Sequence, residues 1–535
     1  MKPGLIFLAF GLWLGIVLTP ASHGSETKSA TPRRGGNLHL AQPSDIRSLD
    51  PAIAFDSFSI PVVHLMFRGL LDYDNGTGLV LDQATDWNIS PDGKTYTFHL
   101  RPGVKFANGR EVEAADYVFA FERILSPQMA SPGETYFLGI LGAREFVDGK
   151  AAQVSGLRTP DKTTLMIELK EPQFTFRYVL AMTFACPVPR EVVQQYGTGF
   201  ASHLVGSGPY RLAGWRRGIS IRLDRNPYYQ GSDGFADGLD IMIGCDDTTM
   251  TMMLERGEID QVPLASPAQA ARFKRDPGLR SWLTLVDAAE TDYFFMNTEM
   301  KPFDNAPVRQ AVNFAIDRER LLKLAGGFAT VAHGVVPPVI PWSNPDLPRY
   351  DFNPEKARAL LREAGFPSGF KTELWYSGDQ PIFARLAEGV QQDLRQVGIQ
   401  AELRPANFTA FDQKVTSRHQ ATCGIWGWFQ DYPDPSDFLD VLLNGERITE
   451  IECNNTAFYN NPVVNRCLDA AAKNLDPAER TRLFQQAEDL IVQDAPWAPL
   501  IHEQIPVLYN PRLHGTEPHP VWLWRYERMW LDPPK

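Results

Sequence analysis

Residues 90–124 read SPDGKTYTFHLRPGVKFANGREVEAADYVFAFERI, and this stretch decides the fold class. Within it, KTYTFHLRPGVKF (94–106) alternates apolar and polar residues on both sides of Pro102-Gly103, which predicts strand, turn and strand. Asn108-Gly109 follows as a tight turn. From Ala114 to Leu125 the period changes: Val118, Phe121, Ile124 and Leu125 fall on one helical face. Strands that run straight into an amphipathic helix argue for α/β or α+β layers rather than a bundle or a sandwich.

The same alternation of element types extends outward. Strands are predicted at 37–40, 164–169, 209–212, 219–224 and 239–243, and Asn75-Gly76 signals a hairpin. A helical apolar pattern runs through 57–73 and stops at Gly69. Further helices are predicted at 305–325, 354–364, 381–397 and 477–493, each opening after Pro, Asn or Asp, with Gly365 and Gly398 closing two of them. The chain has 535 residues, too many for one core, so two or three domains are expected.

A net charge of −12 disfavours nucleic acid or an anionic membrane as the main partner. The N-terminus has a basic start at Lys2, an apolar run LIFLAFGLWLGIVL (5–18) and small residues to Gly24, the layout of a cleaved secretory signal over 1–24. No cysteine follows that run, so a free exported protein, periplasmic in location, is expected. Residues 25–35 (SETKSATPRRG) read as a linker. There are five cysteines. In an oxidising compartment Cys453 and Cys467 are candidates for a local disulfide, with two separate thiols as the alternative. No CxxC spacing or close histidine pair points to a metal.

Catalytic motifs are missing. Gly206-Ser207-Gly208 is too compressed for a nucleophile elbow, His502-Glu503 lacks the second histidine of a zinc-protease helix, and no phosphate-binding loop occurs. No enzyme, cofactor or metal is expected. What stands out is aromatic. In GIWGWFQDYPDPSDF (424–438), Trp426, Trp428, Phe429 and Tyr432 surround Asp431; TDYFFMN (291–297) is the second such segment. A carboxylate among aromatic faces suits a ligand with an apolar body and a cationic group. The plainer alternative is that these are core strands and Asp431 caps a turn before Pro433.

At these residues the chain resembles the family 5 extracellular solute-binding proteins of ABC importers, the dipeptide, oligopeptide and nickel-binding group. The likeness runs from about Gly36 through SLDPA (48–52), FRGLLDYD (67–74), the 90–124 stretch, CPVPREVV (186–193), GSGPYRLAGW (206–215), RNPYYQG (225–231), RGEID (256–260), MNTEMKPFDNAPVRQAVNFAIDRERLL (296–322), FNPEKARALLREAGFPSG (352–369) and GWFQDYPDPSDF (427–438). The resemblance implies a two-lobed type II (cluster C) periplasmic-binding fold with an inserted domain in the first lobe. Lobe I would comprise 36–72, 181–286 and 501–535, the insert 73–180, and lobe III 287–500. It further implies binding, closure and delivery to an inner-membrane permease by a monomer, with a peptide as ligand. By the same resemblance Asp431 meets the peptide α-amino group, Gly427 offers backbone beside it, and Trp428, Tyr293 and Phe294 line side-chain pockets. Arg418 or Arg385 is left to meet a carboxylate, since Ile425 and Ala384 replace other basic positions. A non-peptide solute (a nickel chelate, an opine or amino-sugar conjugate, or a glycoside) keeps the fold without needing Asp431 as an amine partner. A secreted enzyme or chaperone on the same scaffold is the remaining reading.

Overall fold

The computed structural model describes residues 31–533; the expected signal segment 1–24 and most of the linker lie outside the described residues. The main feature is one large twisted sheet. From one edge its path runs through Gln400–Ala406, Lys371–Ser377, Cys423–Phe429, Glu290–Met296, Trp497–Tyr509, Gln261–Val262, Asn37–Gln42, Gly238–Ile243, Ser220–Arg225 and Tyr210–Arg216. Parallel and antiparallel pairs are mixed.

Trp497–Tyr509 joins the two halves. Its first residues pair with Glu290–Met296, and its last with Gln261–Val262 and Leu283–Asp287. It is buried at both ends and half-buried from Glu503 to Pro506. That is the pattern of a strand leaving one core and entering another. The larger core holds Leu38, Leu40, Phe67, Tyr96, Phe98, Phe121 and Leu239, together with Val507 and Trp524. Two further clusters lie on opposite faces of the Glu290–Met296 strand: Phe294 packs with Leu386 and Leu394, while Tyr293 and Phe295 pack with Phe438 and Phe484. Period 2 separates these neighbours onto opposite faces.

The opening stretch folds largely as its pattern dictates. Thr95–Leu100 is a strand in a small four-stranded sheet, with Tyr96 opposite Ile167 and Phe98 opposite Leu165. Ala114–Leu125 is a helix that buries Tyr117, Ala120, Phe121 and Ile124. The second strand expected before Phe106 does not form; a single bridge, Lys105 to Glu111, closes the Asn108-Gly109 turn instead. The helix expected over 305–325 is two, Ala306–Ala315 and Arg318–Leu324, because the Asp317 side chain accepts from the Arg320 N–H at 3.0 Å and starts a new helix. The Cys453–Cys467 bridge is likewise not formed: all five cysteines are buried free thiols. Cys453 Sγ faces the Asn455 carbonyl at 3.6 Å, while Cys467 packs from its helix into a core cluster.

Candidate functional site

The Cys423–Phe429 strand carries Phe429 to the edge of a cavity of about 230 Å³, where the chain turns through Gln430 and Asp431. The opposite wall comes from distant segments: Phe55, Tyr73, Phe184 and Trp522. None of the lining residues is Lys, Arg or His. Asp56 is engaged locally, accepting from the backbone N–H groups of Phe58 and Ser59 and from the Ser59 hydroxyl. Asp431 is therefore the carboxylate with capacity to spare.

Its surroundings raise the value of that charge. Tyr136 Oη donates to Asp431 Oδ2 at 2.7 Å. The Tyr136 ring belongs to an aromatic group in which Phe55 and Phe184 lie 5.4 Å apart and Tyr136 is 6.1 Å from Phe184. The Asp431 N–H donates to Asp437 Oδ2 at 2.8 Å, and Trp428 Nε1 donates to the same oxygen at 3.3 Å. Burial pushes the Asp431 carboxyl up to about 6, with the Tyr136 hydrogen bond pulling the other way. Burial also drives Asp437 well above the usual carboxylate range, and the Asp431 charge adds to this. A carboxylate in such a place gains strongly from an incoming ammonium, because little water competes and no protein cation neutralises it.

The Asp431 turn is fixed from behind. Arg480 and Asp434 form a fully buried fork at 2.9 and 3.0 Å, with Arg480 Nε donating to the Ala471 carbonyl at 3.0 Å. The Arg480 guanidinium lies 3.7 Å over the Phe174 ring. Tyr178 stacks on Tyr432 at 6.3 Å, and Lys473 pairs with Glu171 at 2.7 Å. Together with the Tyr136 bond, these contacts tie residues 136–178 to residues 431–480.

The sequence-derived residues divide. Asp431 lines the cavity, and Trp428 supports it through Asp437 rather than facing the ligand space. Gly427 lies opposite Asp292, and a side chain there would begin 2.4 Å from Asp292 Oδ1. Tyr293 and Phe294 are not in the cavity. Tyr293 stacks on Trp497 at 3.4 Å, and Phe294 is buried against the helices on the other face. Arg418 is also misplaced as an anchor: it precedes the strand that Asp431 follows, and Glu299 holds it bidentately at 2.6 and 2.8 Å, with Glu450 at 2.8 Å. Arg385 lies on the Pro381–Gln396 helix near Phe383, whose Cζ would be 3.1 Å from a Gly427 side chain. Sequence reasoning missed Phe55, Tyr136 and Phe184, which carry no local signal. It also missed Asp437, which stood inside the quoted aromatic segment.

Comparison with known proteins adds the following. The profile described as bacterial extracellular solute-binding proteins, family 5 Middle, matches residues 78–450. A protein named glutathione-binding protein GsiB, from Salmonella typhi, is 31% identical over 482 residues, covering 89% of this chain and 91% of that protein. A structure titled clavulanic acid biosynthesis oligopeptide binding protein 2 superposes with a TM-score of 0.87 at 26% identity, covering 94% of this chain and 96% of the other. The periplasmic binding protein DppA from Helicobacter pylori, in complex with the peptide STSA, superposes with a TM-score of 0.77 at 27% identity, covering 94% of this chain and 99% of that one.

Proposed function

Because the chain belongs to the family 5 bacterial extracellular solute-binding proteins and has their type II periplasmic-binding fold, we propose that it is the receptor of an ABC importer for short peptides. The ligand's α-amino group meets Asp431, and its apolar body packs among Phe55, Phe184 and Phe429. The observation that carries this reading is Asp431: a half-buried carboxylate on an aromatic cavity that no Lys, Arg or His lines. A volume of about 230 Å³ falls below the roughly 300–1,000 Å³ typical of drug-sized ligands, which favours two or three residues over a long peptide. The two solved relatives named above for oligopeptide and for bound peptide support the class of ligand. Glutathione, named for the curated relatives, is itself a small peptide with a free amino group. Delivery to a membrane permease follows from the family role; nothing is chemically altered.

Native mass spectrometry of the protein purified from its own host tests this reading. A set of co-purified di- and tripeptide masses is the expected result, and one defined non-peptide mass overturns it.

The Asp431 carboxyl sets a second expectation. Raised to about 6 in the unliganded protein, it is ionised above that pH and neutral below it. Peptide affinity is expected to be highest between about pH 6.5 and 7.5, to fall by up to roughly tenfold per unit once the pH drops below 6, and to fall again above about pH 8, where the peptide's α-amino group loses its proton. Stability of the unliganded protein moves the other way. The contribution of this group is fully present below 3.8 and is lost as pH rises through 6. Calorimetric titration between pH 5 and 8 checks the first part, and a level affinity across that range contradicts it.

A further inference from the structure

Three carboxylates meet one cross-strand step from the cavity with no cation to neutralise them. Glu290 and Asp292 alternate onto one face of their strand, and in register they oppose Phe429 and Gly427. Directly opposed residues of an antiparallel pair share a face. Both carboxylates therefore lie on the face that carries Phe429 into the cavity. The third, Glu503, is two residues beyond Ile501, which pairs with Asp292. It thus shares that face as well.

Gly427 makes room for them. A side chain at this position would start 2.4 Å from Asp292 Oδ1, 3.3 Å from Glu290 Oε1 and 3.1 Å from Phe383 Cζ, so two acid groups converge on one point under an aromatic lid. Asp292 is wholly buried, and among the described residues no N–H or hydroxyl donor reaches its oxygens; its one hydrogen-bonding neighbour is another acid, Glu503. The charged groups acting on it are Glu503 and Glu290, both acids. Burial and this mutual repulsion push the carboxyls of Glu290 and Asp292 well above the usual range. Acids held together without a counter-charge resist ionisation. A fold that holds them this way gains most when a cation arrives.

We propose that Glu290, Asp292 and Glu503 form a second cation subsite, which receives an amino or guanidino group of the ligand's side chain. The solute is then a basic peptide, with one positive charge at Asp431 and another here. This rests on the reading of an amine at Asp431 given above. Asp431 lies two residues past Phe429, the partner of Glu290, a separation of roughly 7 Å along an extended chain. A lysine, ornithine or arginine side chain at the ligand's N-terminal end spans that distance. The Asn or Gln side chains of Asp292→Asn and Glu503→Gln keep the shape while removing charge.

The test is calorimetry on the mature protein with Lys-Ala-Ala and Ala-Lys-Ala, their norleucine counterparts, and spermidine. Norleucine matches the lysine stem without its charge. The wild type is expected to prefer one of the lysine peptides over its norleucine partner by roughly 30-fold or more. Asp292→Asn should lower that ratio toward one. Glu503→Gln, at a less buried position, should do the same if the first variant fails to fold. Equal affinities for lysine and norleucine peptides in the wild type overturn the proposal, as does a preference that survives both substitutions, or a failure of every probe to bind. Should spermidine bind and weaken in Asp292→Asn while no peptide binds, the subsite stands and the peptide reading falls.

Discussion

Asp431→Asn is expected to weaken peptide binding by about 2–5 kcal/mol, a loss of roughly 30-fold to several thousand-fold. The substitution keeps the volume and the Tyr136 contact but removes the charge that would meet an α-amino group. The loss is large because the ligand's ammonium would then be desolvated without a counter-ion, and cation–π attraction from the aromatic faces replaces only part of what the carboxylate supplied. The effect should fall mainly on the dissociation rate, since the charged partner of the ligand is being removed. Tyr136→Phe provides the comparison. It deletes one hydrogen bond to the carboxylate while leaving its charge, so a smaller change is expected, about 1.5–3 kcal/mol at most. Calorimetry on the three proteins with one peptide reads both effects. Equal affinities for wild type and Asp431→Asn would remove Asp431 from the site.

Arg480→Ala is expected to destabilise the fold by about 3–5 kcal/mol. Its partner Asp434 would stay wholly buried, retaining only the Ser436 N–H at 3.0 Å and the Ser436 hydroxyl at 2.6 Å. The substitution also removes the guanidinium from the Phe174 and Phe484 rings and frees the Ala471 carbonyl. Since Asp434 lies between Asp431 and Asp437, the turn that presents Asp431 would loosen as well. A urea titration reads the stability change as a lower midpoint at unchanged slope. The paired variant Arg480→Met with Asp434→Asn should recover part of the loss, because no lone charge is left inside. A change of less than about 1 kcal/mol in Arg480→Ala would mean that the buried fork does not hold this turn.

Much of the fold was legible because local signals agreed with packing. The helices Pro354–Glu363 and Pro477–Asp494 open on Asn353 and Asp476, whose side chains accept from Lys356 N–H and Ala478 N–H at 2.9 Å, and the apolar period follows. The hairpin at Asn75-Gly76 pairs Leu71–Tyr73 with Leu79–Leu81. Trp497–Tyr509 was not legible. It contains Pro499 and Pro506, which argue against a central strand, and its burial at both ends gives no alternation.

The site divides in the same way. Asp431 and Trp428 stood together in one short aromatic segment, but it was the family resemblance, not the composition of that segment, that marked them as site residues. Tyr136 had no such mark, being 295 residues from the carboxylate it touches. Arg418 misled because a basic residue near a binding motif looks available until its partner Glu299, 119 residues away, is seen to hold it. Tyr293 and Phe294 misled because aromatic strands serve cores more often than clefts. Glu290 and Asp292 were inside or beside a quoted segment, yet only the register that sets them against Phe429 and Gly427 gives them a common point.

Under the proposed function, this solute-binding protein holds short peptides by their free amino group. This is tested most directly by native mass spectrometry of the mature protein mixed with a tripeptide library, and separately with the same library acetylated at its N-termini. Bound masses from the free library and none from the acetylated one are the predicted result. Equal capture from both libraries, or capture from neither, would contradict it.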